Sequence, residues 1–473
     1  MQTQSTMPTV YEQVPHAGLK DRIRGGVILP TDDLYDQSRM AWNLSVDQRP
    51  TLIVMAENVV DIVEAVRYAS EQNLGIAVQS TGHGVVRAAD DCLLIITSRM
   101  KEISINVEEQ TAYVQAGAKW GMVLEVSQEV GLTPLLGSSP DVGAIGYTLG
   151  GGMGWLARKY GLATDSVRLF DLVTADGQLL RASSSENNDL FWGLRGGGGS
   201  LGIITGIEIQ LYPVKSVYGG NLIYSIEIAD EVFKRYCEWI KSVPDELTSS
   251  IVIMNFPPIN DFPELLRGKS VVIIRGCFCG PADEGEALLQ EWRNWHTPMV
   301  DDFKHMPFSQ IATISNDPVD PLPGMSSGAW LRELSDEAID VLIRYGSKNE
   351  LDSPLTVTEI RHAGGAIARV DPQTNAYSHR EEKHILQLIG MTPSLEARQH
   401  LQDFIQQFKT ALSSHLTGNV YMNFLEGEES RARVKDAYSM DSYQRLTSLK
   451  TKYDPENRLS YSFNVLPKEP IWE

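Results

Sequence analysis

The chain has 473 residues, 42% hydrophobic and 22% charged, with 39 Gly, 23 Pro and four Cys. This is a globular composition, long enough for roughly three units of ~150 residues, and it excludes fibrous, disulfide-framework and wholly disordered chains. A formal net charge of −20 has the wrong sign for phosphate backbones and anionic lipid, which argues against nucleic acid as a partner.

The longest apolar runs, such as Leu93 to Ile96, fall far short of the ~20 residues that cross a bilayer, so no membrane association is read. Met1 to Pro15 is polar, with no basic segment leading into an apolar one, and carries no export signal. Cys92, Cys237, Cys277 and Cys279 lack CxxC spacing and a nearby His pair. They read as four free thiols of a cytoplasmic protein, with no metal site.

From Pro50 to Ser98 the pattern is β-α-β. Thr51 to Met55 reads as a strand, Asn58 as a cap, and Val59, Ile62, Val63, Val66 and Ala69 recur at helical spacing until Gly75. Strands follow at Ile103 to Val107 and Thr111 to Gly117, then a helix from Trp120 to Val130. Gly137 to Gly161 differs in kind, because its glycine density is incompatible with a stable helix at about 1 kcal/mol per interior Gly. Next come a strand at Val167 to Thr174, a turn at Ala175-Asp176-Gly177, a returning strand at Gln178 to Arg181, and a short helix around Asp189 to Leu194. Gly196 to Gly199 lead into the strand Ile203 to Leu211. Beyond a boundary near Val214, strands at Leu222 to Ile228, Ser250 to Asn255 and Ser270 to Cys277 alternate with helices ending at Trp239 and Trp295. That texture predicts an antiparallel sheet backed by helices. A last change falls near Asn419.

Two stretches match the dinucleotide fingerprint: Gly152-Met153-Gly154-Trp155-Leu156-Ala157 and Gly197-Gly198-Gly199-Ser200-Leu201-Gly202. The fingerprint needs a strand entering and a helix leaving. The first match follows more glycine and the second leads into a strand, so a nicotinamide Rossmann domain loses its context. What survives is a set of bare main-chain N–H groups able to hold an anion without lysine. A third such loop, Gln79 to Gly84, follows a strand and presents His83. For any one glycine cluster, tight packing between elements is an equal reading.

In this order, Val78-Gln79-Ser80-Thr81-Gly82-His83, Gly137-Ser138-Ser139-Pro140-Asp141-Val142-Gly143, Leu149-Gly150-Gly151-Gly152-Met153-Gly154, Lys159-Tyr160-Gly161-Leu162-Ala163-Thr164-Asp165 and Tyr453-Asp454-Pro455-Glu456-Asn457 resemble the berberine bridge enzyme-like FAD-linked oxidases of the vanillyl-alcohol oxidase group. The similarity runs from about Arg49 to Pro213 and returns from about Ala376 to Pro467. It implies an α+β chain with a PCMH-type FAD-binding domain in two parts, residues 1–213 and 419–473. An α+β substrate domain with an antiparallel sheet, residues 214–418, is inserted between them.

For the cofactor, the resemblance implies contacts from Gln79, Ser80, Thr81, Gly82, His83 and Gly84 and from Gly137, Ser138, Ser139, Val142, Gly143, Gly146 and Tyr147. Gly150, Gly151, Gly152, Gly154, Gly161, Gly202, Ile204 and Asn464 complete the set. His83 stands where the family bonds the flavin 8α-methyl. Ser139 stands where many relatives place a second, cysteine tether, so one covalent bond is expected. Gln79 replaces a frequent arginine, and Ser462 the first of two frequent asparagines.

The implied activity is hydride removal from a small alcohol or amine, with O2 as acceptor and hydrogen peroxide as product. Relatives that oxidise sugars often use the last tyrosine of Tyr-x-Asn-Tyr as base, but this chain reads Tyr421-Met422-Asn423-Phe424. Tyr147, Tyr377, Gln387, Tyr421 and Asn423 are the catalytic candidates, or the substrate is an amine that needs no base. A packing role for these side chains stays open, as do a flavin dehydrogenase with another electron acceptor and a catalytically silent flavin-holding protein.

Overall fold

Three sheets carry the fold of residues 17–468, the part of the chain that the computed structural model describes. The reading of Met1 to Pro15 lies outside the described residues. No helix among them is long and apolar enough to cross a membrane.

The first sheet realises the β-α-β pattern. Leu52–Met55 and Gly75–Gln79 flank Cys92–Ile96 in parallel, and Gly26–Ile28 adds an antiparallel edge. Asn58 caps the helix Val59–Glu71 by accepting from the amides of Val60 and Asp61. That helix ends before Gly75, which opens the following strand. A second, antiparallel sheet runs in the order Ile103–Asn106, Thr111–Gln115, Ile203–Gln210, Val167–Val173, Leu179–Ser183. Gly177 makes the expected turn at a φ of 80°.

The third sheet has eight antiparallel strands, among them Ser216–Ser225, Ser270–Phe278, Leu247–Asn255, Leu355–His362, His384–Met391 and Gly324–Leu331. The first of these starts earlier than expected and stops at Ser225, whose hydroxyl caps a 3-10 turn at Ile226–Ile228. Strand alternation sorts this sheet into two faces. Ile251, Ile253, Val272, Ile274, Ile360, Leu386 and Leu388 pack under the helices Ala229–Trp239, Ala282–Trp295, Asp336–Gly346 and Leu395–Ala411. Ser250, Arg275, Glu359, Arg361 and Gln387 fall on the opposite phase, with Ser250 opposite both Arg275 and Arg361, and Glu359 opposite Gln387.

One expectation is corrected. The glycine segment contains a short helix, Ala144–Leu149. Its glycines cluster at the ends, Gly143 and Gly150 being the caps, so only Gly146 sits inside. Average density over 137–161 therefore overstates the penalty on these six residues.

The chain's return is fastened by a buried ion pair. Lys450, on the helix Met440–Tyr453, donates to Asp454 at 2.7 Å and to the Ser200 carbonyl at 2.9 Å, and both side chains are at most 1% exposed. Asp454 also accepts from the amides of Arg458 and Leu459, which explains the acid in Tyr453-Asp454-Pro455. Removing one member strands a charge. Lys450→Met is expected to lower unfolding free energy by ~3–5 kcal/mol in denaturant titration. Lys241→Ala, which breaks an exposed pair with Glu238, should stay within ~0.5 kcal/mol.

Candidate active site

The loop after the strand Gly75–Gln79 is held from the N-terminal side. Trp42 N–H donates to the Thr81 carbonyl at 3.0 Å, and Asn43 N–H to that of Gly82 at 3.2 Å. Gly82 adopts a φ of 77° with Ala41 so close that a Cβ would lie 2.7 Å from its Cα. Gln79 is spent on the same support, donating to the Met40 carbonyl and accepting from Gln48. The His83 ring stacks on Trp42, with centroids 4.3 Å apart at 15°. His83 Nδ1 lies 2.8 Å from Thr81 Oγ1, while Nε2 is buried with no hydrogen bond and lies 3.9 Å from Asp141 Oδ2. Burial pushes the imidazole down to about 4, outweighing the attraction of Asp141. At neutral pH this ring is uncharged.

The second loop meets the first. A Cβ on Gly143 would lie 3.1 Å from Ser80 Oγ, and one on Gly137 would lie 2.9 Å from the Tyr147 ring. Val142 gives its carbonyl to Trp120 N–H, Asp141 receives Lys119 at 2.5 Å, and the Ser139 hydroxyl accepts from Asp141 N–H within its own turn. Glycine is enforced again at 150–154. Added Cβ atoms would fall 1.8 Å from Asn423 Oδ1 at Gly150, 2.7 Å from the Tyr377 ring at Gly151, 2.5 Å from Tyr147 at Gly152 and 1.8 Å from the Leu136 carbonyl at Gly154. The tail joins here. Gly198 N–H donates to the Leu149 carbonyl, and Gly198 and Gly199 lie against Phe463 and Ser462.

Next to these contacts, Ser80 Oγ, His83 Nε2, Tyr147 OH, Ser462 Oγ and Asn464 Oδ1 are buried without hydrogen-bond partners. Native proteins rarely leave buried polar atoms unpaired. Gly84 and Gly146 face open space, with nothing within 4 Å of a Cβ position. Polar atoms from three stretches of chain, beside bare backbone and unfilled space, fit a nucleotide cofactor with a large polar ring.

The remaining expected residues divide between packing turns and the supports of the glycine segment. Gly161, at a φ of 94°, sits against Asp165, which binds Arg380 at 2.7 Å and Asn375 at 2.9 Å. Gly202 packs on Leu172, the residue opposite Ile204 in the second sheet. Tyr421 OH receives the amides of Gly152 and Met153, both at 3.0 Å, and the Asn423 side chain at 3.1 Å; Asn423 also donates to the Tyr147 carbonyl. These two residues hold the glycine segment. Tyr377 lies between Gly151 and Gly196, in edge contact with Tyr421 at 6.1 Å. Gln387 donates to Ser326 Oγ and accepts from Arg361. Burial raises the phenol pKa of Tyr147, Tyr377 and Tyr421, the last despite the N–H donors that favour its ionised form.

Trp42 escaped the sequence reading because nothing local marks it. The charged pair Glu359 and Arg361 left a signal, since acid and base two apart inside one strand must share one face.

Comparison with known proteins decides the relationship. Residues 50–183 match the FAD binding domain family and residues 420–465 the berberine and berberine like family. The chain is 30% identical over 459 residues to the FAD-linked oxidoreductase YgaK of Bacillus subtilis (strain 168), itself uncharacterised, covering 95% of this chain and 98% of that one. The chain belongs to the berberine bridge enzyme-like FAD-linked oxidoreductases. Its fold is shared with 6-hydroxy-D-nicotine oxidase from Arthrobacter nicotinovorans, with a TM-score of 0.83 at 23% identity over 94% of this chain and 98% of that one. It is shared too with glucooligosaccharide oxidase from Acremonium strictum, at 0.81 and 22% over 94% and 97%. This FAD-linked oxidoreductase is therefore an α+β enzyme of the PCMH type.

Two predictions come from the site's supports. Tyr421→Phe strips the acceptor from two buried amides and should cost about 1–3 kcal/mol in unfolding free energy, measured by denaturant titration. Glu426, which accepts from Asn43 and from Ser326 N–H, is pushed by burial from 4.5 up to about 7. An unfolded glutamate loses its proton near 4.5, so the stabilisation held in acid is withdrawn as pH rises from there to about 7. Glu426→Gln keeps an accepting oxygen and should melt ~2 °C or more above the parent at about pH 8, with the gain gone near pH 4.5.

Proposed function

We propose that this enzyme is an oxidase that removes hydride from a carbon next to nitrogen or oxygen in a small amine or alcohol, with O2 as the electron acceptor. Bound FAD supplies the redox chemistry, accepting the hydride and passing its electrons to O2 to give hydrogen peroxide. Residues 1–213 and 419–473 serve the cofactor, and 214–418 shape the substrate side. Supporting this division, the second sheet ends at Gln210 and the eight-stranded sheet begins at Ser216.

The observation that carries the reading is His83: a buried neutral imidazole with one ring nitrogen making no hydrogen bond, where the loops from Ser80 and Gly143 touch. We take it as the single covalent tether. Thr81 occupies its other nitrogen and Trp42 fixes its plane. The solved glucooligosaccharide oxidase carries, by its title, a 6-S-cysteinyl, 8α-N1-histidyl FAD. Ser139 offers no thiolate for the cysteinyl bond, which leaves histidine alone.

An amine is favoured over an unactivated alcohol. Phe424 has no proton acceptor, and the phenols of Tyr147, Tyr377 and Tyr421 are all held above their ordinary pKa. An alcohol needs its proton removed as hydride leaves, whereas a neutral amine drives the departure with its own lone pair. Tyr147, Tyr377, Gln387, Tyr421 and Asn423 then orient substrate and glycine segment. Four free cysteines support a reducing, cytoplasmic setting.

Acid precipitation tests the tether. The parent protein should give a yellow pellet and His83→Ala a colourless one; a colourless parent pellet, or a yellow variant pellet, defeats the assignment. Rapid reoxidation of the substrate-reduced protein in air, with peroxide formed, separates an oxidase from a dehydrogenase.

A further inference from the structure

Burial keeps the His83 ring neutral, and the same burial penalises the cation that a tethered ring must pass through. A neutral imidazole has one N–H and one lone pair. When the lone pair forms a bond to carbon, the ring becomes an imidazolium until its N–H proton leaves, whichever nitrogen reacts. The His83 side chain is 16% exposed and Trp42 stacks on one face of the ring, so water can answer little of that charge.

A carboxylate stands where it can. Asp141 Oδ2 lies 3.9 Å from His83 Nε2, and the Asp141 side chain is itself only 14% exposed. Its other oxygen, Oδ1, receives Lys119 Nζ at 2.5 Å, from a lysine side chain that is 43% exposed. Both charges reach the ring, Asp141 favouring its cation and Lys119 opposing it. The ion pair is not what places the loop. Trp120 N–H donates to the Val142 carbonyl at 3.0 Å, Gly121 N–H to that of Pro140 at 2.7 Å, and Ala144 N–H to that of Ala118 at 3.0 Å. Main chain thus sets where both side chains begin, and their charges are left for another task.

We infer that Asp141 is the counter-ion of the His83 imidazolium that arises as the flavin tether is made, and that Lys119 sets how much of that counter-charge the ring feels. This deepens the tether reading and rests on it. In balance, a C–N bond forms while the ring N–H and one C–H of the flavin 8α-methyl break. The two electrons and two protons released stay with the flavin until O2, the acceptor already proposed, takes them as hydrogen peroxide. Asp141 acts through His83, which makes it a positioning residue for the cofactor bond.

The test is the rate of tethering. The full-length chain is synthesised in a cell-free system containing FAD, synthesis is stopped, and flavin that survives acid precipitation is followed with time. Gel filtration without acid reports total bound flavin, which tells slow tethering from poor binding. Asp141→Asn should bind flavin yet tether it ~10-fold or more slowly than the parent, as loss of a unit charge 3.9 Å from the ring warrants. Asp141→Glu should restore part of the rate, and Lys119→Met, which frees the carboxylate's field, should tether ~2-fold or more faster. A purely structural pair would slow Asp141→Asn and Lys119→Met alike, since each breaks the same contact. That result overturns the inference, as does a parental rate in Asp141→Asn. Should Asp141→Asn fail to fold, the sign of the Lys119→Met change decides, a rise supporting the inference and a fall overturning it. A parent without acid-stable flavin, or a His83→Ala variant that keeps it, defeats the tether reading along with this inference; a His83-dependent tether indifferent to Asp141 defeats only the inference.

Discussion

Main chain comes closer to main chain and to rings here than any side chain allows, and the site depends on that. At Gly150 and Gly154 a single methyl group would lie 1.8 Å from another atom, far inside van der Waals contact. Those approaches bring Tyr147, Tyr377, Tyr421 and Asn423 around one short stretch. Gly143 does the same for the loop that carries His83. A local choice of residue thus becomes a long-range contact between parts of the chain up to about 270 positions apart.

That also explains what the sequence revealed. Glycine density marks close approach without saying what approaches, so Gly137, Gly143 and Gly150 to Gly154 were legible as a site while Tyr377 and Asn423 were legible only by resemblance. The β-α-β unit and the strand Ile203–Gln210 were readable because their periods are local. Tyr421 was less transparent. A tyrosine next to an implied site reads as chemistry, yet its oxygen satisfies two backbone amides of the glycine segment, a role visible only once the fold brings residues 152 and 421 together. Gly161 marks a turn that presents Asp165 to Arg380 and Asn375, and no spacing rule separates such a glycine from one that faces a ligand.

Electrostatics divides the molecule in a way composition hides. The chain is acidic overall, with a net charge of −20, while one face of the eight-stranded sheet gathers Arg275 and Arg361 around the buried Glu359. The field on that face is therefore set by a few fixed groups in a poorly screened interior, and net charge is a poor guide to it.

The buried Lys450–Asp454 pair has a consequence for biosynthesis. Lys450 reaches the Ser200 carbonyl from across 250 positions of sequence, and the segment it secures brings Ser462 and Phe463 against Gly198 and Gly199. During translation the segment around Ser200 emerges well before its partner, and the clasp can form only once the helix Met440–Tyr453 has been made. The contacts of Ser462 and Phe463 with Gly198 and Gly199 are therefore among the later ones to assemble as the polypeptide is made.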